Sequence, residues 1–268
     1  MNTTQHYTRK ATLISLCLAA SSAAYAQVGT PPINSATITP RVYNDYPGAT
    51  GTYINGYPGA ITLGESGQFN TGPNGFANRD TWQFSNNGST AYTFQAGDTG
   101  FAASMTLDVT GATTVDNEAG FIVPNANGSF PGGDLQFIAD AQSGFLGFFG
   151  GPGFWNSGFT YVAGTDITLK MIYSQTGATG NMQFSVTDGT TVTSPVQSWA
   201  GNLVGDVLGG YFQLAGINNS TGPGTSGQAL FDDITITPSA AVPEPANYAL
   251  LSMGVMAIAG VISRRRRS

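Results

Sequence analysis

The sequence predicts an all-β fold, an antiparallel two-sheet sandwich. Three observations favour this class. Short runs of alternating apolar and polar residues recur along the chain, Gly and Asn turn signals separate them, and residues 27–240 show no sustained helical stripe. Many short strands without helices are typical of sandwiches. Glycine is abundant and charge is sparse, but aromatic and β-branched residues are plentiful enough to form a core.

The clearest pair of strands lies beyond the middle of the chain. Residues 167–173 and 182–186 alternate with a period of two, and a turn-forming segment at 175–180 separates them. We therefore expect an antiparallel hairpin. Further strands are predicted at residues 60–63, 80–85, 91–95, 101–109, 118–123, 135–140, 207–214 and 229–237.

A six-residue pattern is repeated ahead of most of these strands. Asn-Asp-Tyr-Pro-Gly-Ala begins at Asn44, and Asn-Gly-Tyr-Pro-Gly-Ala begins at Asn55. Both Pro-Gly pairs suit type II turns, in which proline presets φ and glycine takes a positive φ. We expect two turns at one end of the sandwich. A binding role for Tyr46 and Tyr57 is the alternative.

The strand order from Asp80 onward resembles the concanavalin A-like jelly roll of lectins, laminin-G-like modules and glucanases. The resemblance is carried by residues 80–84, 117–121, 165–188, 210–212 and 231–234. It implies a β-sandwich domain over residues 80–240. The Gly-, Pro- and Tyr-rich segment 27–79 is then expected to form part of the same sandwich.

The N-terminus has the three parts of a secretory signal peptide, residues 1–26. Arg9 and Lys10 precede an apolar stretch at 11–20, and Ala24 and Ala26 form an Ala-x-Ala cleavage site. We expect signal peptidase to cleave after Ala26.

The C-terminus combines a motif, an apolar segment and a charge cluster. Pro243, Glu244 and Pro245 precede residues 246–263, which carry no formal charge. As a helix this segment is about 27 Å long, close to the roughly 30 Å hydrocarbon core of a bilayer. The cluster that follows consists of Arg264, Arg265, Arg266 and Arg267. Such a cluster keeps the C-terminus on the cytoplasmic side.

This tail, residues 241–268, resembles the PEP-CTERM sorting signal of Gram-negative bacteria. The resemblance implies that a transmembrane helix holds the precursor in the inner membrane temporarily. It further implies that an exosortase cuts near the Pro-Glu-Pro motif and passes the protein to the cell surface or extracellular polysaccharide. A permanent single-pass anchor is the alternative, and it would leave the tail on the mature protein.

The composition between the two ends excludes several kinds of chemistry. Residues 27–240 contain no histidine and no cysteine, so they lack the base of Ser-His-Asp or Cys-His catalysis and the usual nitrogen and sulfur ligands of zinc. Three basic residues stand against fourteen acidic ones, a net charge of −11. Nucleic acid and anionic lipid are therefore not expected partners.

No cofactor is expected, although an acidic domain can bind hard cations such as calcium through carboxylate and carbonyl oxygens. Asp232 and Asp233 are the candidate ligands. An acidic surface that only keeps the protein soluble is the alternative explanation.

Carboxylate pairs are the remaining route to catalysis. Asp116 and Glu118 are two residues apart and would share a strand face, whereas Asp232 and Asp233 are adjacent and would face opposite ways. Neither pair reproduces the Glu-x-Asp-x-x-Glu pattern of the glucanases on this fold. We expect structural roles for them, Asp232 at a bulge, and no catalytic residue.

An aromatic, glycine-rich segment at residues 143–161 is the candidate glycan contact, because pyranose faces pack on aromatic rings. Phe154 and Trp155 are the predicted exposed members. The alternative is that these rings belong to core strands and a loop folded over the sheet.

These features predict an exported, exosortase-processed, non-enzymatic surface or extracellular-matrix protein that binds glycans. The alternative is a divergent carbohydrate-active enzyme of the glycoside hydrolase type. It would need two carboxylates roughly 5–10 Å apart on the concave sheet.

Overall fold

The computed structural model describes residues 32–68, 75–215 and 225–238, and these residues form an antiparallel β-sandwich without helices. The predicted all-β, two-sheet fold is therefore confirmed. The strands of the described residues are β1 (Ser35–Asn44), β2 (Thr50–Asn55), β3 (Ile61–Gln68), β4 (Ala77–Ser85), β5 (Gly100–Gly111), β6 (Asn117–Val123), β7 (Leu135–Asp140), β8 (Leu146–Phe149), β9 (Trp155–Asn156), β10 (Ile167–Thr176), β11 (Thr179–Asp188), β12 (Thr190–Thr193), β13 (Gln197–Ala200), β14 (Gly209–Ala215) and β15 (Thr225–Pro238).

The strands form two sheets. Sheet A has the order β1-β4-β14-β6-β7-β8-β9, and sheet B has the order β12-β11-β10-β5-β15-β3-β2, with β13 also pairing with β11. Strand β1 pairs with β4, and strand β3 pairs with β15. Strands before residue 80 therefore lie in both sheets.

The core lies between the sheets and is rich in aromatic rings. The two sheets meet at Trp82 and Phe231, whose ring centroids are 5.8 Å apart, and at Phe148 and Phe184, which stack at 4.0 Å. Strand β5 shows how the sequence selects its faces, because every second residue from Phe101 onward is buried. This alternation is the period expected of a strand with one apolar face.

The predicted hairpin is β10 and β11, paired from Thr168↔Thr187 to Thr176↔Thr179. Its loop is shorter than the sequence suggests, because only two residues separate the strands. Gly177 occupies the loop with φ +59°, a conformation that glycine adopts without steric cost.

The strand predicted at residues 91–95 is wrong. In this segment only Thr93 forms a bridge, an isolated one to Val207. Tyr92 and Phe94 are buried while their neighbours are not, so the segment shows the alternation of a strand without its pairing. Asp98 holds the chain in this path, since its carboxylate accepts hydrogen bonds from the Tyr92 hydroxyl and the Gln95 backbone N–H.

The type II assignment of the two Pro-Gly turns is also wrong, because neither Gly48 nor Gly59 takes a positive φ. The first turn is closed by a hydrogen bond from the Ala49 N–H to the Tyr46 carbonyl, and the second from the Gly59 N–H to the Gly56 carbonyl. The Tyr57–Pro58 peptide of the second turn is cis. The repeated motif therefore forms two different turns.

The two tyrosines of the repeat are packing residues. Tyr46 is buried, and its hydroxyl donates to the Phe76 carbonyl. Tyr57 is half-buried and meets the ring of Phe84 edge-on at 6.1 Å.

The two predicted targeting segments, 1–26 and 241–268, lie outside the described residues. Within the parts of the chain that the structure describes, no helix is long and apolar enough to cross a membrane.

Candidate functional site

The candidate site is the outer face of sheet A, which points away from the core. Its side chains on β4, β14 and β7 are packed closely enough to be buried. Alternation along the strands decides which side chains lie there: Trp82 and Phe212 point into the core, so their neighbours in sequence point outward. On strands β4, β14, β6 and β7 the outward side chains are Arg79, Thr81, Gln83, Tyr211, Gln213, Glu118, Ile122, Gln136, Ile138 and Asp140.

The strand register brings four of these residues into one row. Arg79 pairs with Gln213, Gln213 with Glu118, and Glu118 with Asp140. Directly opposed residues have Cβ atoms about 4.5–5.5 Å apart. The row therefore places a guanidinium, an amide and two carboxylates side by side, although Arg79 and Gln213 are 134 residues apart in the chain.

Arg79 is fixed on several sides. Its Nε donates to Gln213 Oε1 at 2.7 Å, and its Nη1 lies 3.9 Å from Asp134 Oδ2. Its guanidinium carbon lies 4.9 Å from the Tyr43 ring centroid and 5.1 Å from that of Tyr211, within the range of cation–π contact.

Glu118 is the polar centre of the row. Its Oε1 accepts hydrogen bonds from the Tyr211 hydroxyl at 3.2 Å and from Gln213 Nε2 at 3.1 Å. Burial raises the pKa of Glu118 to about 7, Arg79 opposes this shift, and Asp140 adds to it. Burial also raises the pKa of Tyr211 well above its usual value. At neutral pH Glu118 is therefore close to the midpoint of its titration, and the tyrosine is protonated.

Gln136 carries an unused acceptor on the same face. The residue is only 7% exposed, and its Oε1 has no hydrogen-bond partner. A buried acceptor without a partner costs about 1–3 kcal/mol. Such atoms are rare in folded proteins, and a binding site is one setting in which they occur.

Two stacked phenylalanines lie beside these polar groups. Phe145 packs against the outward cluster of Ile122, Ile138 and Tyr211, and Phe154 stacks on Phe145 with ring centroids 5.8 Å apart. Phe154 is 66% exposed. The pair therefore presents an accessible aromatic surface at the edge of the outer face.

The structure separates the two predicted glycan contacts. Phe154 lies on the outer face, as expected of a contact residue. Trp155 is half-buried and packs against the core, with its ring 6.4 Å from that of Phe148. Trp155 therefore supports the sheet, and the alternative of core packing applies to it.

A cavity of about 440 Å³ adjoins the phenylalanine pair. Phe145 and Phe159 contribute its aromatic walls, and Ser143, Asn156 and Thr160 contribute hydroxyl and amide groups. The cavity is open to solvent, and its lining combines these rings with the polar groups.

The predicted calcium ligands lie on sheet B. Asp232 and Asp233 occupy a bulge in β15, where the Asp233 N–H donates to Asp232 Oδ1 at 2.8 Å and the Thr106 hydroxyl donates to Asp233 Oδ2 at 3.4 Å. In the described ranges, no three His, Cys, Asp or Glu residues are grouped so that they could hold a metal ion. The calcium site stays a prediction.

The acidic pair Asp116 and Glu118 has a partner that the sequence did not suggest. Asp140 lies directly opposite Glu118, and its two carboxylate oxygens accept the backbone N–H groups of Gln142 and Ser143. Asp140 therefore closes the turn between β7 and β8. The sorting and cleavage residues lie outside the described residues.

No protein-family model matches this chain, and no curated protein matches it. Similar solved structures include an alginate lyase from Corynebacterium sp., 13% identical with a TM-score of 0.45, covering 69% of this chain and 80% of that one. An alginate lyase from Klebsiella pneumoniae is 12% identical with a TM-score of 0.45, covering 79% and 99%. The carbohydrate-binding module CBM66 from Bacillus subtilis is 10% identical with a TM-score of 0.38, covering 77% and 98%. Similarity at this level concerns strand arrangement alone, and no residue role follows from it.

Proposed function

We propose that this chain is an exported, exosortase-processed, non-enzymatic protein of the cell surface or extracellular matrix, whose concanavalin A-like sandwich binds glycans on the outer face of sheet A. One observation carries the binding proposal: the stacked pair of Phe145 and Phe154 packs on the same sheet face that carries the unpartnered Gln136 Oε1 and the hydrogen-bonded Gln213 and Glu118. Sugar hydroxyls pair with such groups, and sugar rings pack on such aromatics.

The binding proposal is tested with the variant Phe154→Ala in a glycan screen, run with and without a chelator. We expect weaker retention on extracellular polysaccharide, because the substitution removes the exposed ring. Ile54→Ala is the matched control, since Ile54 is 57% exposed on β2 of sheet B. Equal losses in the two variants, or no loss in either, would rule out the phenylalanine pair as the contact.

The export proposal depends on the sequence of the two ends. The precursor would be held in the inner membrane with its C-terminus in the cytoplasm, and signal peptidase and an exosortase would process it. Mass spectrometry of the surface-located protein is expected to find a first residue of Gln27 and no residue beyond about Pro245. An intact tail on the surface protein would exclude processing.

A carbohydrate-active enzyme is the second candidate, and one observation favours it. Glu118 and Asp140 are cross-strand partners, and a carboxyl group with a pKa of about 7 can act as a general acid at neutral pH. Against catalysis, both Asp140 oxygens already serve the β7–β8 turn. Release of reducing ends from a bound glycan by the natural chain, with no release by the Glu118→Gln variant, would establish the enzyme.

A further inference from the structure

The charges around the outer face of sheet A are strongly unbalanced. Arg79 is the basic residue of the row, and Glu118 interacts unfavourably with Asp140 and Asp116. Asp134 lies at the other side of Arg79. Because the segment 27–240 has a net charge of −11, no long-range field offsets this imbalance.

Arg79 is poorly placed to receive an acidic sugar. Its Nε is bonded to Gln213, its Nη1 faces Asp134, and the rings of Tyr43 and Tyr211 lie against its guanidinium group. A sugar carboxylate would therefore meet carboxylates beside a guanidinium that already interacts with these partners. A ligand charge that faces a protein charge of the same sign lowers the affinity for that ligand, and the site thereby discriminates against it.

Two acceptors on this face have capacity for further hydrogen bonds. Gln136 Oε1 is buried without a partner, and the hydrogen bonds given to Glu118 all arrive at Oε1. An ammonium group has three donors and no acceptor, so it complements this pattern. The Gln136 oxygen is independent of the charges, and as a buried acceptor it can take a hydrogen bond from an ammonium or a hydroxyl group.

We propose that the outer face of sheet A binds glycans that carry free amino groups, such as glucosamine polymers, that it rejects polyuronates, and that Glu118 determines this specificity. This inference rests on the proposed glycan binding and names its ligand class.

The ligand class predicts how binding depends on pH. Arg79, Asp140, Asp116 and Tyr211 are the charged or titratable groups that act on Glu118, and its pKa is about 7. Binding of a glucosamine oligomer should weaken as pH falls below 7, because Glu118 then takes up a proton while the sugar amine stays charged. Binding of an N-acetylated oligomer should change much less.

The full chain is titrated with three oligosaccharides of equal length. They are an oligomer of glucosamine, an oligomer of N-acetylglucosamine and an oligomer of a polyuronate. We expect the glucosamine oligomer to bind at least about tenfold more tightly than the polyuronate. Glu118→Gln should abolish this preference. Asp188→Asn is the matched control, because Asp188 is exposed at the end of β11 in sheet B.

The outcomes separate this inference from the function it rests on. If the oligomers bind without a charge preference, or if the polyuronate binds most tightly, the ligand class is wrong and glycan binding stands. If none binds, both fail. If Glu118→Gln does not fold, ionic strength decides, since a preference that rests on charge should fall as salt is added. A preference of the natural chain that is unchanged at high salt, or a preference kept in folded Glu118→Gln, overturns the inference.

Discussion

Arg41 ties the two sheets together through one buried ion pair. It lies in β1 of sheet A, and its Nε and Nη2 donate to Glu65 Oε1 at 2.9 Å and Glu65 Oε2 at 3.1 Å in β3 of sheet B. A break in the register between Thr39 and Tyr43, with φ +52° at Arg41, accompanies this contact. Glu65 is only 1% exposed, and its carboxylate also accepts hydrogen bonds from the Tyr53 hydroxyl and Asn78 Nδ2.

Arg41→Leu should therefore be strongly destabilising. We expect a loss of about 3–5 kcal/mol in the free energy of unfolding, because the carboxylate of Glu65 is left buried without its counterion. Lys170→Leu is the control, since Lys170 is exposed on β10 and should change stability by about 0.5 kcal/mol or less. Denaturant unfolding measures both, and similar values for the two variants would contradict the structural role of Arg41.

Asp80 should make stability depend on pH. Burial raises its pKa from 3.8 to about 6, Glu65 adds to the shift, and Arg41 and Tyr53 oppose it. Folded Asp80 holds its proton more tightly than the unfolded chain does. The stability that it contributes is therefore fully present below pH 3.8 and is lost as pH rises through about 6.

Asp80→Asn removes this dependence, because the amide does not titrate. The difference in unfolding free energy between the variant and the natural chain should change by about 2–3 kcal/mol between pH 4 and pH 7, in favour of the variant at the higher pH. Thermal and denaturant unfolding across this range measure it. A difference that is constant with pH would show that folding does not raise the pKa of Asp80.

At the scale of the strands, sequence alternation identifies those that have one apolar face. Strand β11 alternates in burial along its length, strand β10 does so from Ile167 to Tyr173, and both were predicted. Strands β1, β2 and β12 were not, because most of their residues are half-buried or exposed at sheet edges. Their pairing depends on distant partners, which a local pattern does not contain.

A glycine in β14 makes room for the largest residue of the core. Gly210 is the cross-strand partner of Trp82, and a Cβ at Gly210 would lie 2.3 Å from Trp82 Nε1. Gly210→Ala should displace the indole ring and cost about 1–3 kcal/mol. Gly97→Ala is the control, since a Cβ there meets nothing within 4 Å. Near-UV circular dichroism and denaturant unfolding compare the two variants. Equal stability of the two variants would show that the indole ring can move aside at little cost.

At the scale of the whole molecule, the pairing register of the strands brings the residues of the candidate site together. Phe154 was predicted from a local concentration of aromatics and glycines, and the structure places it on the outer face of sheet A. Arg79, Gln136 and Gln213 were not predicted, because each comes from a different strand and no local motif joins them. One signal was available in the sequence: Arg79 is one of only three basic residues in 27–240.

The central claim is that this outer face is where the protein binds a glycan. The most direct test is hydrogen–deuterium exchange of the full chain with and without a glycan that it retains. We expect new protection in β6, β7 and β14 and in the loop that carries Phe154, with no change in β10, β11 and β12 of sheet B. Protection confined to sheet B would contradict the claim.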